Sequence, residues 1–201
     1  MLTVNAAWNI WNFRKPILKA LLAEGHRVTV LAPPDDSVAK LEELGCRVLP
    51  LQMSAKGLNP LEGLRLRRAF LKVFRQERPD IVFSYTIKNN LFGAMAARRC
   101  GVPFLPNVTG LGTAFLSGGA LQRVAEGLYR HAFRRLPKVF FQNEDDRALF
   151  LSRHLVRADQ TEVLPGSGID LQHFNAAPYP EGDEIRFLMI ARLLRDKGVH
   201  E

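Results

Sequence analysis

Residues 27–51, RVTVLAPPDDSVAKLEELGCRVLPL, contain the pattern that decides the fold. An apolar run from Arg27 to Leu31 leads through a turn with two prolines into a segment of helical spacing from Ser37 to Leu44. Gly45 is placed to end that helix, and a second apolar run follows from Arg47 to Leu51. A strand, a helix and a strand in this order predict a βαβ unit with parallel strands.

The same alternation continues on both sides of this unit. Upstream, Met1 to Val4 is a predicted strand, and a helix follows the loop Asn5–Asn12 and runs to about Glu24, before Gly25. The predicted downstream elements are helices over 60–76, 89–100, 121–135 and 145–154, and strands over 81–85, 103–106, 138–142 and 162–164. We therefore predict an α/β fold, a Rossmann-like parallel sheet with helices on both faces.

A change in composition predicts a domain boundary. Glycine, proline, alanine and aspartate dominate from Gly166 to Gly182, which is typical of a linker. We predict a first domain over 1–165, a linker over 166–183 and the start of a second domain over 184–201, whose first strand is Ile185 to Ile190. A helix begins near the end of the chain without a cap, so we expect a fragment of a longer two-domain protein.

Composition restricts the class of protein without identifying it. The chain has 201 residues, 47% of them hydrophobic and 24% charged, which is ordinary for a globular protein. The net charge of +8 suits nucleic acid, an anionic membrane or an anionic substrate such as a diphosphate. Cys46 and Cys100 have neither metal-site nor disulfide-framework spacing, which favours a reducing cytoplasm. The histidines show no metal-ligand spacing, so we expect no metal.

Ligands of an open parallel sheet bind at the carboxyl ends of its strands, so the loops there contain the candidate site residues. The first loop, Asn5–Asn9, includes Trp8 and has no G-x-G-x-x-G phosphate fingerprint. Its small residues Ala6 and Ala7 are compatible with close approach of a sugar and equally with a plain strand-to-helix turn.

The second loop, Ser84–Asn90, is polar and contains Tyr85 and Lys88. Lys88 stands at a predicted helix start, where the positive end of the helix dipole disfavours a cation. A bound anion such as a diphosphate would resolve this conflict, and a solvated lysine is the alternative.

The third loop, Asn107–Thr113, contains Thr109 between the strand and two glycines, Gly110 and Gly112. Glycines in this position permit a ligand to approach the backbone.

The fourth loop, Ala191–Gly198, follows the strand predicted for the second domain. Arg192 and Lys197 bracket its turn, and two separated cations before a helix suit a nucleotide diphosphate.

The helix after Pro60 has an apolar face and a strongly basic face. The apolar positions, spaced as on one side of a helix, are Leu66, Ala69, Phe70, Val73 and Phe74. The basic positions on the opposite side are Arg65, Arg68, Lys72 and Arg75. The basic face is either simply solvated or attracted to anionic lipid.

Four stretches together resemble family 4 glycosyltransferases of the GT-B fold. They are FSYTIKNNLFG at 83–93, VTGLG at 108–112, VLPGSGID at 163–170 and IARLLRDKGV at 190–199. Within this family the sequence is most similar to bacterial enzymes that extend lipid-linked sugars, such as the undecaprenyl-diphosphate-bacillosamine N-acetylgalactosaminyltransferases. The third and fourth stretches are the more specific.

The resemblance implies a retaining glycosyltransferase that moves a hexose or N-acetylhexosamine from a nucleotide-sugar to a lipid-linked saccharide. We expect the nucleotide-sugar to be UDP-linked and the reaction to belong to cell-surface glycan synthesis. It implies no metal or cofactor. Arg192 and Lys197 match the pair that clamps the donor diphosphate and acts in catalysis. The residues expected to bind the acceptor are Asn5, Trp8, Tyr85, Lys88, Thr109, Gly110 and Gly112.

The expected partners are a nucleotide-sugar, a polyprenyl-diphosphate-linked saccharide and an anionic membrane surface, without nucleic acid. The basic helix would dock the protein peripherally on the inner face of the cytoplasmic membrane.

Two departures from the family pattern limit what can be transferred. Ala6 and Ala7 stand where many members have a glycine pair, and Thr86 and Ile87 occupy the region of a family histidine. The family's later acidic motif would lie beyond Glu201, so we expect this chain to be inactive by itself. One alternative is a non-catalytic domain that binds an anion or nucleic acid through its basic helices. A second alternative, a sugar-nucleotide epimerase, is disfavoured by the run that contains Arg192 and Lys197.

Overall fold

The structure is a computed structural model that describes residues 1–53, 60–111, 119–171, 173–179, 182, 187–191 and 198. The chain divides into two compact units, Met1–Gly168 and Ile169–Glu201.

In its described residues, the first unit is built on a parallel sheet of seven strands. They are β1 (Leu2–Thr3), β2 (Thr29–Ala32), β3 (Arg47–Pro50), β4 (Val82–Tyr85), β5 (Phe104–Val108), β6 (Val139–Phe141) and β7 (Thr161–Val163). Their order is β3-β2-β1-β4-β5-β6-β7, and each neighbouring pair is parallel. The predicted Rossmann-like α/β fold is confirmed.

Six α-helices connect these strands in the described part of the chain. They are α1 (Ala7–Ala23), α2 (Val38–Glu43), α3 (Pro60–Glu77), α4 (Ala94–Cys100), α5 (Gly119–Phe133) and α6 (Glu144–Ser152). A π-helical turn (Asn89–Gly93) precedes α4, and a 3₁₀ turn (Ala158–Gln160) precedes β7. Gly25 and Gly45 follow α1 and α2 with φ values of 81° and 102°, so both predicted glycine stops are confirmed.

Two apolar clusters form the core. One joins α1 and α2 to β1 and β2 and includes Ile10, Leu18 and Leu41. The other joins α3, α4, α5 and α6 to β4, β5 and β6. Its centre is the fully buried Phe150, whose ring lies 4.9 Å from that of Tyr129 and 5.1 Å from that of Phe141. Both sides of the sheet are therefore packed, as expected for parallel strands.

Helix α3 has the two faces that its sequence predicts. Leu66, Phe70 and Phe74 are buried in the core, and Ala69 and Val73 are partly buried against it. The four basic side chains of the opposite face, Arg65, Arg68, Lys72 and Arg75, are exposed. No helix in the described part of the chain is long and apolar enough to cross a membrane.

The described residues of the second unit contain a hydrogen-bonded turn and neither a helix nor a strand. The carbonyl of Asp170 accepts hydrogen bonds from the backbone N–H groups of His173 and Phe174. Phe187–Ile190 are exposed and form no strand, so the strand predicted over 185–190 is absent there. A strand requires a neighbour for its backbone N–H and C=O groups, and the described part of this unit contains none. Residues 185 and 186 lie outside the described residues.

Candidate functional site

The strand order places a topological switch point at β1. Strand β1 has β2 on one side and β4 on the other, and the chain connections leave in opposite directions at this point. Ligands of doubly wound sheets bind in the crevice formed at such a reversal. The loops after β1 and β4 form its walls.

The N-terminus of α1, where a Rossmann domain usually holds a phosphate, is already occupied by a carboxylate. Asp35, in the loop after β2, accepts a hydrogen bond from the Trp8 backbone N–H through Oδ2 at 2.8 Å. Its Oδ1 accepts from the Ser37 N–H at 2.8 Å, which fixes the carboxylate. The Ala7 N–H donates to the Pro33 carbonyl at 3.3 Å. These contacts explain why the first loop does not require the phosphate fingerprint.

A buried hydrogen-bond network fixes the loop after β4. The Asn89 side chain donates to Thr3 Oγ1 at 2.8 Å, and Thr86 Oγ1 donates to Asn89 Oδ1 at 3.0 Å. The Asn90 side chain donates to the carbonyl of Asn107 on β5 at 2.9 Å. Thr86 has a φ of 70°, an uncommon conformation for a non-glycine residue that turns the chain sharply after β4. The loop is therefore rigidly attached to both neighbouring strands.

The π-helical turn that continues this loop is packed closely against the sheet. A Cβ on Gly93 would lie 2.8 Å from Cζ of Phe104, so only glycine fits there. On the other side of the turn, a Cβ on Gly63 of α3 would clash with the ring of Phe92. Such π-turns occur frequently at functional sites.

Lys88 has an internal partner. Its Nζ lies 3.6 Å from Oε2 of Glu62 in the first turn of α3, and its side chain is only 18% exposed. The carboxylate thus supplies negative charge next to a lysine that the helix dipole disfavours. Acceptor binding by Lys88 stays a prediction.

The most unusual side chain at this edge is Arg14, which the sequence analysis did not select. It is only 4% exposed, and its guanidinium lies 4.3 Å from the ring centroid of Tyr85. Nη1 donates to the Phe13 carbonyl at 3.0 Å and to the hydroxyl of Ser167. Nε is buried and has no hydrogen-bond partner in the part of the chain that the structure describes. Burial lowers the pKa of Arg14. Burial raises the pKa of Tyr85, and the guanidinium opposes that rise.

One signal in the sequence indicates that Arg14 is buried. It is spaced four residues from Ile10 and four from Leu18, which are apolar and buried on the inner side of α1. A basic residue in line with such a stripe either extends past the core or has a buried role.

A row of polar side chains continues from Arg14 along the carboxyl edge of β4, β5 and β6. Tyr85 and Asn107 are paired in the sheet, so their side chains lie next to each other on the same face. Asn107 is 8% exposed, and its Oδ1 has no hydrogen-bond partner within the described ranges. Gln142, just after β6, donates to Ser167 Oγ at 3.4 Å. We call Arg14, Tyr85, Asn107, Gln142 and Ser167 the polar row.

The structure brings part of the predicted acceptor set together. Asn5, Tyr85 and Thr109 follow or end the three neighbouring strands β1, β4 and β5, and so lie at one edge of the sheet. Asn5 is partly buried, Tyr85 is buried and Thr109 is exposed. Gly110 has a φ of 146°, which favours glycine.

Of the remaining predicted ligand-binding residues, Trp8 is exposed and three lie outside the described residues. The Trp8 side chain is 54% exposed and packs edge-to-face on Phe13 at 5.6 Å. Gly112 and the donor clamp, Arg192 and Lys197, lie outside the described residues.

A seven-stranded parallel sheet with a polar crevice at its topological switch point defines a Rossmann-like ligand-binding domain. The sequence profile of the glycosyl transferase 4-like domain matches residues 12–166. The chain therefore belongs to this glycosyltransferase family.

A characterised relative is 30% identical over 215 residues. It is the N,N'-diacetylbacillosaminyl-diphospho-undecaprenol alpha-1,3-N-acetylgalactosaminyltransferase of Campylobacter jejuni, and the alignment covers 98% of this chain and 57% of the relative. The chain thus spans 57% of the length of that enzyme.

Two solved structures share the fold. A glycosyltransferase from Rickettsia africae has a TM-score of 0.62, and Anabaena HepE in complex with UDP and glucose has a TM-score of 0.61. Each is 18% identical, and each alignment covers 88% of this chain and 46% of the other protein.

Proposed function

We propose that this chain is the acceptor-side part of a retaining glycosyltransferase. The complete enzyme would move a hexose or N-acetylhexosamine from a UDP-sugar to a lipid-linked saccharide during synthesis of a cell-surface glycan. The observation that carries this proposal is the family match over residues 12–166, together with 30% identity to a relative named for a sugar linked to diphospho-undecaprenol. The domain boundary at residue 165, the linker over 166–183 and inactivity of the chain alone stay predictions.

The donor side of the proposal depends on Arg192 and Lys197. Cleavage of a nucleotide-sugar leaves negative charge on the departing diphosphate, and two fixed cations stabilise that charge in the transition state without a metal. HepE, which shares the fold, was solved with UDP and glucose, and this supports a UDP-sugar as donor.

The acceptor side is supported by the outer surface of α3. Leu61 and Leu64 at its start are 65% and 41% exposed. Four exposed basic residues follow these leucines on α3 at helical spacing: Arg65, Arg68, Lys72 and Arg75. Exposed leucines beside several cations suit a helix that lies in the interface of an anionic bilayer. We propose that this surface docks the enzyme on the inner face of the cytoplasmic membrane, where a polyprenyl-linked acceptor is accessible.

The test is a product analysis with the full-length enzyme. The protein is incubated with a panel of UDP- and GDP-sugars and a polyprenyl-diphosphate-linked saccharide, and the products are analysed by mass spectrometry. We expect one UDP-sugar to add a single hexose or N-acetylhexosamine, with the anomeric configuration of the donor retained by NMR. A matched reaction uses the same saccharide without the lipid diphosphate and should yield little product. Failure of every donor, or an inverted anomer, would contradict the proposal.

A further inference from the structure

Arg14 is a buried cation that no carboxylate neutralises in the described part of the chain. Its contacts there are a carbonyl, a hydroxyl and the face of an aromatic ring. Transfer of an ion out of water is costly unless an opposite charge or a full set of hydrogen bonds compensates it. Nε has no hydrogen-bond partner among the described residues, so the compensation that they provide is incomplete.

A second buried polar atom without a hydrogen-bond partner in the described part of the chain is Asn107 Oδ1. The register of β4 and β5 places Asn107 beside Tyr85, whose ring lies under the Arg14 guanidinium. The guanidinium can donate to an anion, while Asn107 Oδ1 can accept from a hydroxyl. A sugar diphosphate carries both groups.

Two other positive groups at this edge of the sheet, in the part of the chain that the structure describes, already have internal acidic partners. The N-terminus of α1 is capped by Asp35, and the Lys88 ammonium faces Glu62. Of these three positive groups, Arg14 is therefore the one that gains most from a negatively charged ligand.

The guanidinium is reached from the segment after β7. Ser167 is exposed, and its hydroxyl contacts Nη1 directly. Gln142, which is partly buried, donates to the same hydroxyl. A phosphate oxygen that displaces the Ser167 hydroxyl would accept from both donors.

We propose that Arg14 is the anion-binding residue of the crevice, and that the polar row holds one phosphate and an adjacent hydroxyl of a sugar diphosphate. The proposal rests on the proposed function for the identity of that substrate. The diphosphate belongs either to the nucleotide-sugar or to the lipid-linked acceptor, since both have the same chemistry.

The experiment measures binding of inorganic pyrophosphate to the 201-residue chain by isothermal titration calorimetry. We expect Arg14→Gln to weaken binding by about 10- to 100-fold, which corresponds to the loss of one charge-assisted hydrogen bond. The control Arg27→Gln removes the same charge from an exposed position before β2 and should leave the affinity unchanged. An unchanged affinity in Arg14→Gln, or no binding by the folded wild type, would overturn the proposal.

A second variant keeps the test decisive if Arg14→Gln does not fold. Ser167→Asp places a carboxylate on an exposed segment next to Nη1, so it should satisfy the guanidinium internally. We expect a higher melting temperature and, again, about 10- to 100-fold weaker pyrophosphate binding. A purely structural Arg14 would give the higher melting temperature with unchanged pyrophosphate affinity, which would refute the proposal.

The source of the diphosphate is identified by repeating the titrations with UDP-glucose and with farnesyl diphosphate. If UDP-glucose loses affinity in both variants, the donor is the source of the diphosphate, and if farnesyl diphosphate does, the acceptor is the source. If neither probe loses affinity, the proposal is overturned. Because these titrations require no sugar transfer, they separate the two proposals. A full-length protein without transferase activity would refute the proposed function even if its pyrophosphate binding depended on Arg14.

Discussion

Neutralising the basic face of α3 should release the protein from anionic membranes. The change is Arg68→Gln, Lys72→Gln and Arg75→Gln together, at three exposed positions opposite the buried Phe70 and Phe74. Each basic residue near an anionic surface contributes about 1 kcal/mol, so the triple variant should lose about 3 kcal/mol of membrane binding. That corresponds to a roughly 150-fold weaker partition coefficient. Because the three side chains are solvated, the melting temperature should change little.

The assay is co-flotation with vesicles that contain anionic lipid, compared with neutral vesicles. The matched control is Lys19→Gln, Arg27→Gln and Lys40→Gln, which removes three exposed charges from residues on or next to α1 and α2. The wild type and control should float with anionic vesicles at low salt and be released as salt is raised, since screening weakens surface attraction. Equal flotation of the wild type and the α3 variant, or equal losses in both triple variants, would refute docking through α3.

Three further predictions concern the donor clamp, the core and the dependence on pH. In the full-length enzyme, Arg192→Ala and Lys197→Ala should each cost about 2 to 4 kcal/mol of transition-state stabilisation in kcat/KM, and near-native rates in both would contradict the clamp. Phe150→Ala should lower the free energy of unfolding in urea by about 3 to 5 kcal/mol, because the ring is fully buried among aromatic neighbours. A decrease in that free energy of less than about 1 kcal/mol would contradict this packing. The pKa of His131 is lowered in the folded protein by burial, by the Arg98 guanidinium and by other nearby arginines. As the pH decreases through about 6.5, the imidazole of His131 is therefore protonated in the unfolded chain before it is protonated in the folded one, and the stability should fall. Melting temperatures at pH 5.5 and 7.5 should show a smaller difference in His131→Gln than in the wild type, and equal differences would exclude this contribution.

The secondary structure could be predicted because its signals are local. Each strand is a short apolar run, and each helix has helical spacing and a stop such as Gly25 or Gly45 within a few residues. The amphipathic pattern of α3 likewise requires only its own sequence, because burial on one side of a helix follows its 3.6-residue period. The parallel sheet then follows from the repeated βαβ connection.

The candidate site was predicted less completely because its contacts are not local. The position of Lys88 at a helix start indicated a need for negative charge, but the nearby carboxylate of Glu62 lies 26 positions earlier in the chain. Arg14 gave only the weak signal of a basic residue on an apolar stripe. Its contact with Ser167 joins α1 to the segment after β7, across 153 positions of sequence.

The sequence by itself thus determined the family, the α/β class and the loops that border the crevice, because these depend on motifs and on short-range periodicity. The tertiary structure alone decided which polar groups in those loops are already paired. Strand order and register place Tyr85 beside Asn107, and the guanidinium of Arg14 on α1 lies over the Tyr85 ring. Burial then determines the cost of leaving Arg14 without an opposite charge. These are properties of distant segments in contact, which no local pattern encodes.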